Sequence, residues 1–173
     1  MESLTSGIQY RHWPVADAKA CVLLVHGLAE HTGRYQRLAA RFNSAGIAVV
    51  GPDHIGHGAS PGERAHVRRF SDYLEPLTAL RERIEEWYSD TPVFLLGHSM
   101  GGLISAHALL VSQKSYHGAM FSGPAFTAVD PVSAPVIWIG RLLRYVFPKM
   151  GMLALNAKEV SRDPAVVADY IAD

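Results

Sequence analysis

Three short runs of apolar residues with few interruptions punctuate the first hundred positions: "ACVLLVH" (20–26), "IAVVGPD" (47–53) and "VFLLG" (93–97). Continuous Val- and Leu-rich runs of this length suit strands buried on both faces of a parallel sheet. Between them the period changes. Tyr35, Leu38, Ala39 and Phe42 fall on one stripe of a helix over 34–45, which Gly46 stops. Phe70, Tyr73, Leu74, Leu77, Leu80, Ile84 and Trp87 form a second stripe, within which Pro76 requires either a kink or a later helix start. A helix over 100–112 and a strand over 117–122 complete the alternation, and the glycine-rich "HIGHGASPGE" (54–63) is a long loop. Strand–helix–strand repetition predicts an α/β fold, a mostly parallel sheet with helices on both faces. Sheets of this kind hold ligands beyond the carboxyl ends of their strands.

From Asp130 the pattern is helical only, broken by prolines and glycines, which divides the chain into a core over 1–129 and a helical segment over 130–173. Val136, Ile139, Leu142, Leu143, Val146 and Phe147 supply an apolar face there, and Arg141 and Arg144 a basic one. Two readings stay open for that helix: contact with a membrane surface, or an ordinary cover for the core. Composition adds exclusions. With 16 basic and 16 acidic side chains there is no surplus positive charge for phosphates, so nucleic acid is not expected as a partner. Cys21 is the single cysteine, which favours a reducing, cytoplasmic compartment, peripheral to membrane if the helical segment docks there. The amino terminus lacks the apolar core of a signal peptide, and the most apolar stretch is too short to span a bilayer.

The chemistry concentrates at 97–102, "GHSMGG". Gly97-His98-Ser99-Met100-Gly101 matches G-x-S-x-G after a predicted strand and before a predicted helix, the pattern of a strained turn that exposes a nucleophilic serine. A structural serine in a glycine-rich turn is the plainer alternative, and Gly102 together with the strand–helix context favours the nucleophile. Acyl transfer also needs donors for the developing oxyanion. The backbone N–H groups of Met100, at the helix start, and of Leu28, after His26-Gly27, are the natural supply. His26 itself is read as a packing or turn residue. Asp53, His54 and His57, with Glu63 and His66 nearby, could form a metal cluster, but they lie in a loop without the helical i, i+4 pair that zinc sites often use, so no metal is expected.

"HGLAEHTGRY" (26–35), "PDHIGHGAS" (52–60) and "GHSMGG" (97–102), in this order and spacing, resemble the monoacylglycerol lipase family of α/β-hydrolases, and the likeness runs from Tyr10 to the end of the chain. The resemblance implies the α/β-hydrolase fold, with Ser99 as nucleophile and Leu28 and Met100 as oxyanion hole. It implies that Glu30 and Arg34 form a polar network near a glycerol headgroup, where the bland alternative is a surface pair at a helix start. Asp53, His54 and His57 match a motif that is mainly structural in the family. The resemblance also makes 130–173 the start of a lid, the substrate a small lipid ester, and organic or metal cofactors unnecessary.

Such triads run Ser, then Asp or Glu, then His. His107 lies about two helical turns past Ser99, ~12 Å along the axis, and His117 begins a strand at the far end of the sheet. Asp130 and Asp163 fall in the lid. The triad acid and histidine are therefore expected outside these 173 residues, the chain being an amino-terminal portion that lacks the last core strands. Loss of a triad histidine removes roughly 10⁶ in kcat, about 8 kcal/mol, so the chain alone is expected to be inactive. Strand 117–122 is expected to be left as an aggregation-prone edge. A lysophospholipase or general carboxylesterase would use the same residues, and a catalytically silent binding protein of the same fold is the rival from another class. An aminopeptidase usually needs an acidic amine-binding cluster, and an epoxide hydrolase needs an Asp nucleophile, which Ser99 excludes.

Overall fold

The computed structural model describes residues 1–127 and 161–172. Its centre is a six-stranded sheet in the order β1-β2-β4-β3-β5-β6. The strands are β1 (Glu2–Ser3), β2 (Gln9–Trp13), β3 (Ala20–Val25), β4 (Ile47–Pro52), β5 (Val93–His98) and β6 (Gly118–Ser122). β4, β3, β5 and β6 run parallel, and β2 closes antiparallel on β4, with β1 antiparallel on β2.

Side chains of β3 alternate between two cores, as period-2 geometry requires. Cys21, Leu23 and Val25 join Ala48 and Val50 in a cluster with Leu77, Leu80 and Ile84 of helix α2 (Leu74–Trp87) and Ile104 and Ala108 of helix α3 (Met100–Ser112). Val22, Leu24 and Val49 face the other way, against Ala39 and Phe42 of helix α1 (Gln36–Ser44). Burying each such Leu or Val is worth about 1.5–3 kcal/mol, so both faces hold the central strands in register. Helices on both faces of a mostly parallel sheet are the predicted layering.

Three details differ from the sequence reading. β1 and β2 carry no uninterrupted apolar run and were not anticipated; in "QYRHW" Tyr10 is fully buried while its neighbours are half-buried, too weak an alternation to mark a strand. The first helix opens as a 3-10 turn at Thr32–Tyr35 and becomes α-helical at Gln36. The second does likewise, with a 3-10 turn at Phe70–Tyr73 before α2. Pro76 therefore sits in the first turn of α2, where a missing N–H costs no helical hydrogen bond, and no kink is needed.

The chain divides into two compact units, Met1–Val129 and Asp130–Asp173. In the second, helix α4 (Pro164–Ala172) follows Asp163, whose Oδ1 accepts the Ala165 N–H at 2.9 Å as an N-terminal cap. Asp130 and the apolar and basic positions 136–147 lie outside the described residues. Among the described residues no helix is long and apolar enough to cross a membrane.

Candidate active site

All four parallel strands end at one edge, and the singled-out residues gather beyond it. His26 and Gly27 follow β3, Asp53 follows β4, and Ser99 follows β5. Register explains the gathering: Val25 pairs with Gly97, and Gly97 with Phe121, so the three strands finish level.

Ser99 joins β5 directly to α3 with φ 51° and ψ −119°, a backbone conformation that side-chain-bearing residues rarely adopt. Its surroundings over-determine that strain. The Ser99 N–H donates to the Ser122 carbonyl at 3.0 Å, and its carbonyl accepts from Gly102 at 2.9 Å and Ala125 at 3.0 Å. A Cβ on Gly101 would lie 2.5 Å from the His26 carbonyl oxygen and closer still to that of Val25. The absent side chain is what lets α3 start flush against the end of β3. Ser99 is half-buried at the edge of the sheet.

Beside it lies the loop 27–30. A Cβ on Gly27 would meet Glu30 Oε1 at 2.9 Å and Ser99 Cβ at 3.1 Å, so these three residues share one crowded spot. Ala29 turns the loop with φ 56°, folding Glu30 back so that Oε1 accepts the Gly27 N–H and, at 2.7 Å, the Tyr35 O–H. Burial, and next the Glu30 charge, push the Tyr35 phenol up, which keeps it a donor. Among the described residues the exposed Leu28 has no acceptor for its N–H. Met100, as the first residue of α3, has no helical acceptor for its own. Gly27, Glu30 and Ser99 are thus brought together, with Leu28 and Met100 their neighbours in the chain. Arg34 lies within the 3-10 turn next to Tyr35, and its charge acts on that phenol.

Behind the loop is a layer of buried histidines. The His54 N–H donates to His26 Nε2 at 2.9 Å, so Nε2 is bare and Nδ1 carries the proton that it donates to the Gly27 carbonyl at 2.8 Å. His54 in turn donates from Nε2 to the His26 carbonyl at 3.0 Å, and the two rings lie 4.0 Å apart. Burial drives His26 down to about 4 and holds His54 well below the ordinary imidazole value. Asp53 ties the layer to the rest: its carboxylate accepts the Thr32 N–H at 2.9 Å, the Thr32 O–H at 2.5 Å and the Ala59 N–H at 3.0 Å. Burial alone would raise Asp53, but these donors outweigh it and hold the carboxyl below its usual range. Ser60 Oγ, on the Asp53 carbonyl at 2.5 Å, also receives the Gln9 N–H, which anchors β2. Among the described residues no group of three or more His, Cys, Asp or Glu is arranged to hold a metal ion.

No histidine among the described residues is hydrogen-bonded to Ser99 Oγ. His98 Nδ1 is on the Ser122 carbonyl at 2.9 Å. His107 stacks on Phe70, with ring centroids 5.9 Å apart. His117 Nδ1 accepts the Val93 N–H at 3.2 Å, at the opposite end of β5 from Ser99. Sequence reasoning missed Tyr35, which the helical stripe presented as a core residue, and the commitments of both His26 nitrogens. Neither leaves a signal in spacing.

A mostly parallel sheet with helices on both faces and a serine on a strained strand-to-helix turn beyond the carboxyl end of a central strand defines an α/β-hydrolase. Comparison with known proteins agrees: residues 16–173 match the model of the serine aminopeptidase S33 family, and the chain belongs to that family. It is 40% identical over 168 residues to the monoacylglycerol lipase of Mycolicibacterium smegmatis, across 96% of this chain and 60% of that protein. Identity to the Rattus norvegicus monoglyceride lipase is 34%, over 94% of this chain and 54% of the relative. The crystal structure of Paleococcus ferrophilus monoacylglycerol lipase superposes with a TM-score of 0.84 at 29% identity, covering 96% of this chain and 62% of that one. The chain therefore spans little more than half the length of these relatives.

Proposed function

We propose that this chain carries the nucleophile-bearing part of a serine ester hydrolase that cleaves monoacylglycerols or similar single-chain lipid esters. The observation that carries the proposal is Ser99, held at φ 51° before the amino terminus of α3 and packed against Gly27, whose successor Leu28 has no acceptor for its N–H among the described residues. In this reading Ser99 Oγ attacks the ester carbonyl, and the Leu28 and Met100 amides receive the oxyanion where charge develops. The proton passes to a histidine beyond these 173 residues, itself oriented by an acid there. The alcohol leaves, and water hydrolyses the acyl-enzyme. Glu30, engaged with the Gly27 N–H and Tyr35, holds the loop, and in this reading it and Arg34 handle a polar headgroup. Residues 130–173 serve as the start of a lid that guides the lipid in and can rest on a membrane surface.

The substrate class rests on the likeness to proteins named monoacylglycerol and monoglyceride lipases. The test joins this chain to the remaining segment of the Mycolicibacterium smegmatis relative and compares the product with the 173-residue chain alone. Expected is stoichiometric fluorophosphonate labelling of the joined protein, abolished by Ser99→Ala, and faster release of fatty acid from monooleoylglycerol than from lysophosphatidylcholine. Labelling that survives Ser99→Ala would refute the nucleophile assignment, and a reversed preference would shift the substrate to lysophospholipid.

A further inference from the structure

We propose that His26 is a positioning residue for the oxyanion hole: its Nδ1–H clamps the Gly27 carbonyl and thereby aims the Leu28 N–H, the other end of the same peptide. The inference rests on the reading of Leu28 as an oxyanion donor and extends it to a residue with no role in the reaction so far. Its first support is the tautomer. A backbone N–H can only donate, so the His54 N–H on Nε2 fixes the proton on Nδ1. The partner of that proton, at 2.8 Å, is the Gly27 oxygen. The second support is peptide planarity. No peptide among the described residues is cis. In a trans unit the C=O and N–H point in opposite directions, so holding the Gly27 oxygen toward His26 turns the Leu28 hydrogen away from it. The third is the neighbouring peptide, whose Gly27 N–H is held by the Glu30 carboxylate. Two consecutive peptide planes are thus fixed by side chains, and the Leu28 N–H is left without an acceptor among the described residues. Donation into the Gly27 carbonyl also polarises the peptide and strengthens the Leu28 N–H as a donor.

The clamp requires a neutral ring. His54 and His57 lie against His26, with ring centroids 4.0 and 5.5 Å away, and the charges of Asp53 and His31 also reach it. A protonated Nε2 would point a hydrogen at the His54 N–H.

The test is made on the 173-residue chain, labelled with ¹⁵N and ¹³C, with no substrate present. Long-range ¹⁵N–¹H spectra near neutral pH are expected to show His26 with a protonated Nδ1 and a bare Nε2. His26→Phe should shift the Gly27 carbonyl ¹³C and the Leu28 ¹⁵N upfield, while the β2 amides stay in place. His26→Asn, which offers an N–H near the Nδ1 position, should restore both toward wild type. A protonated Nε2 in wild type, which is read whether or not the variants fold, would overturn the proposal, and so would unchanged Gly27 and Leu28 shifts in a folded His26→Phe. These readouts are independent of Ser99 labelling, so failure of the clamp and failure of the hydrolase reading are distinguishable.

Discussion

Lowering the pH from 7 to 5 should weaken this fold sharply, because its buried imidazoles must stay neutral. His26 is fully buried and held near 4, mainly by desolvation, against an ordinary 6.5. The folded state disfavours the charged form, so the unfolded chain takes up the proton first. The contribution is fully present above 6.5 and is lost as the pH falls toward 4. At pH 5 the loss from His26 is about 2 kcal/mol, from RT ln(1 + 10^(6.5 − 5)) with the small folded-state term subtracted. His54, also fully buried and shifted in the same direction by desolvation and then by His26, adds to the loss. Even the His26 share is a sizeable part of the ~5–15 kcal/mol that holds a domain together. The assay is urea unfolding at several pH values, followed by tryptophan fluorescence. His26→Gln, whose amide can accept the His54 N–H without titrating, should cut the slope by about one proton. His12, lowered by the burial of its ring, leaves a residual slope. A midpoint that does not move between pH 7 and 5 would refute the reasoning.

Other perturbations read the same architecture. Ser99→Gly should raise stability by about 1 kcal/mol in urea unfolding, since glycine relieves strain worth roughly 1–3 kcal/mol at a modest entropic cost, whereas Ser99→Ala should leave it unchanged. Gly101→Ala should destabilise by about 3 kcal/mol or prevent folding, because its Cβ would meet two backbone carbonyls. Gly118→Ala, facing the Phe94 ring edge at 3.2 Å, should be far milder. Cys21, buried and pushed up to about 12 by desolvation, should react with Ellman's reagent only after denaturant is added.

β3 and β4 were legible because burial on both faces leaves an unbroken apolar signal, and Gly97–Gly101 announced its turn through residues chosen for what they lack. The residues that aim the loop were not. Tyr35 looked like one more apolar position, and His26 like packing, since a hydrogen bond to a neighbouring main chain leaves no periodicity. The 3-10 openings of α1 and α2 hid inside continuous helical stripes. β2 went unseen because strand pairing needs main-chain partners rather than side-chain alternation, and β4 supplied them.

Gly101 touches the ends of Val25 and His26 through oxygen atoms of the main chain. The Ser99 hydroxyl is therefore located by landmarks that every amino acid possesses. Side chains around it can be exchanged residue by residue, and the coordinates of that oxygen will not drift with them. In the proposed hydrolase, substrate choice is free to evolve at the rim while the serine stays where the backbone put it.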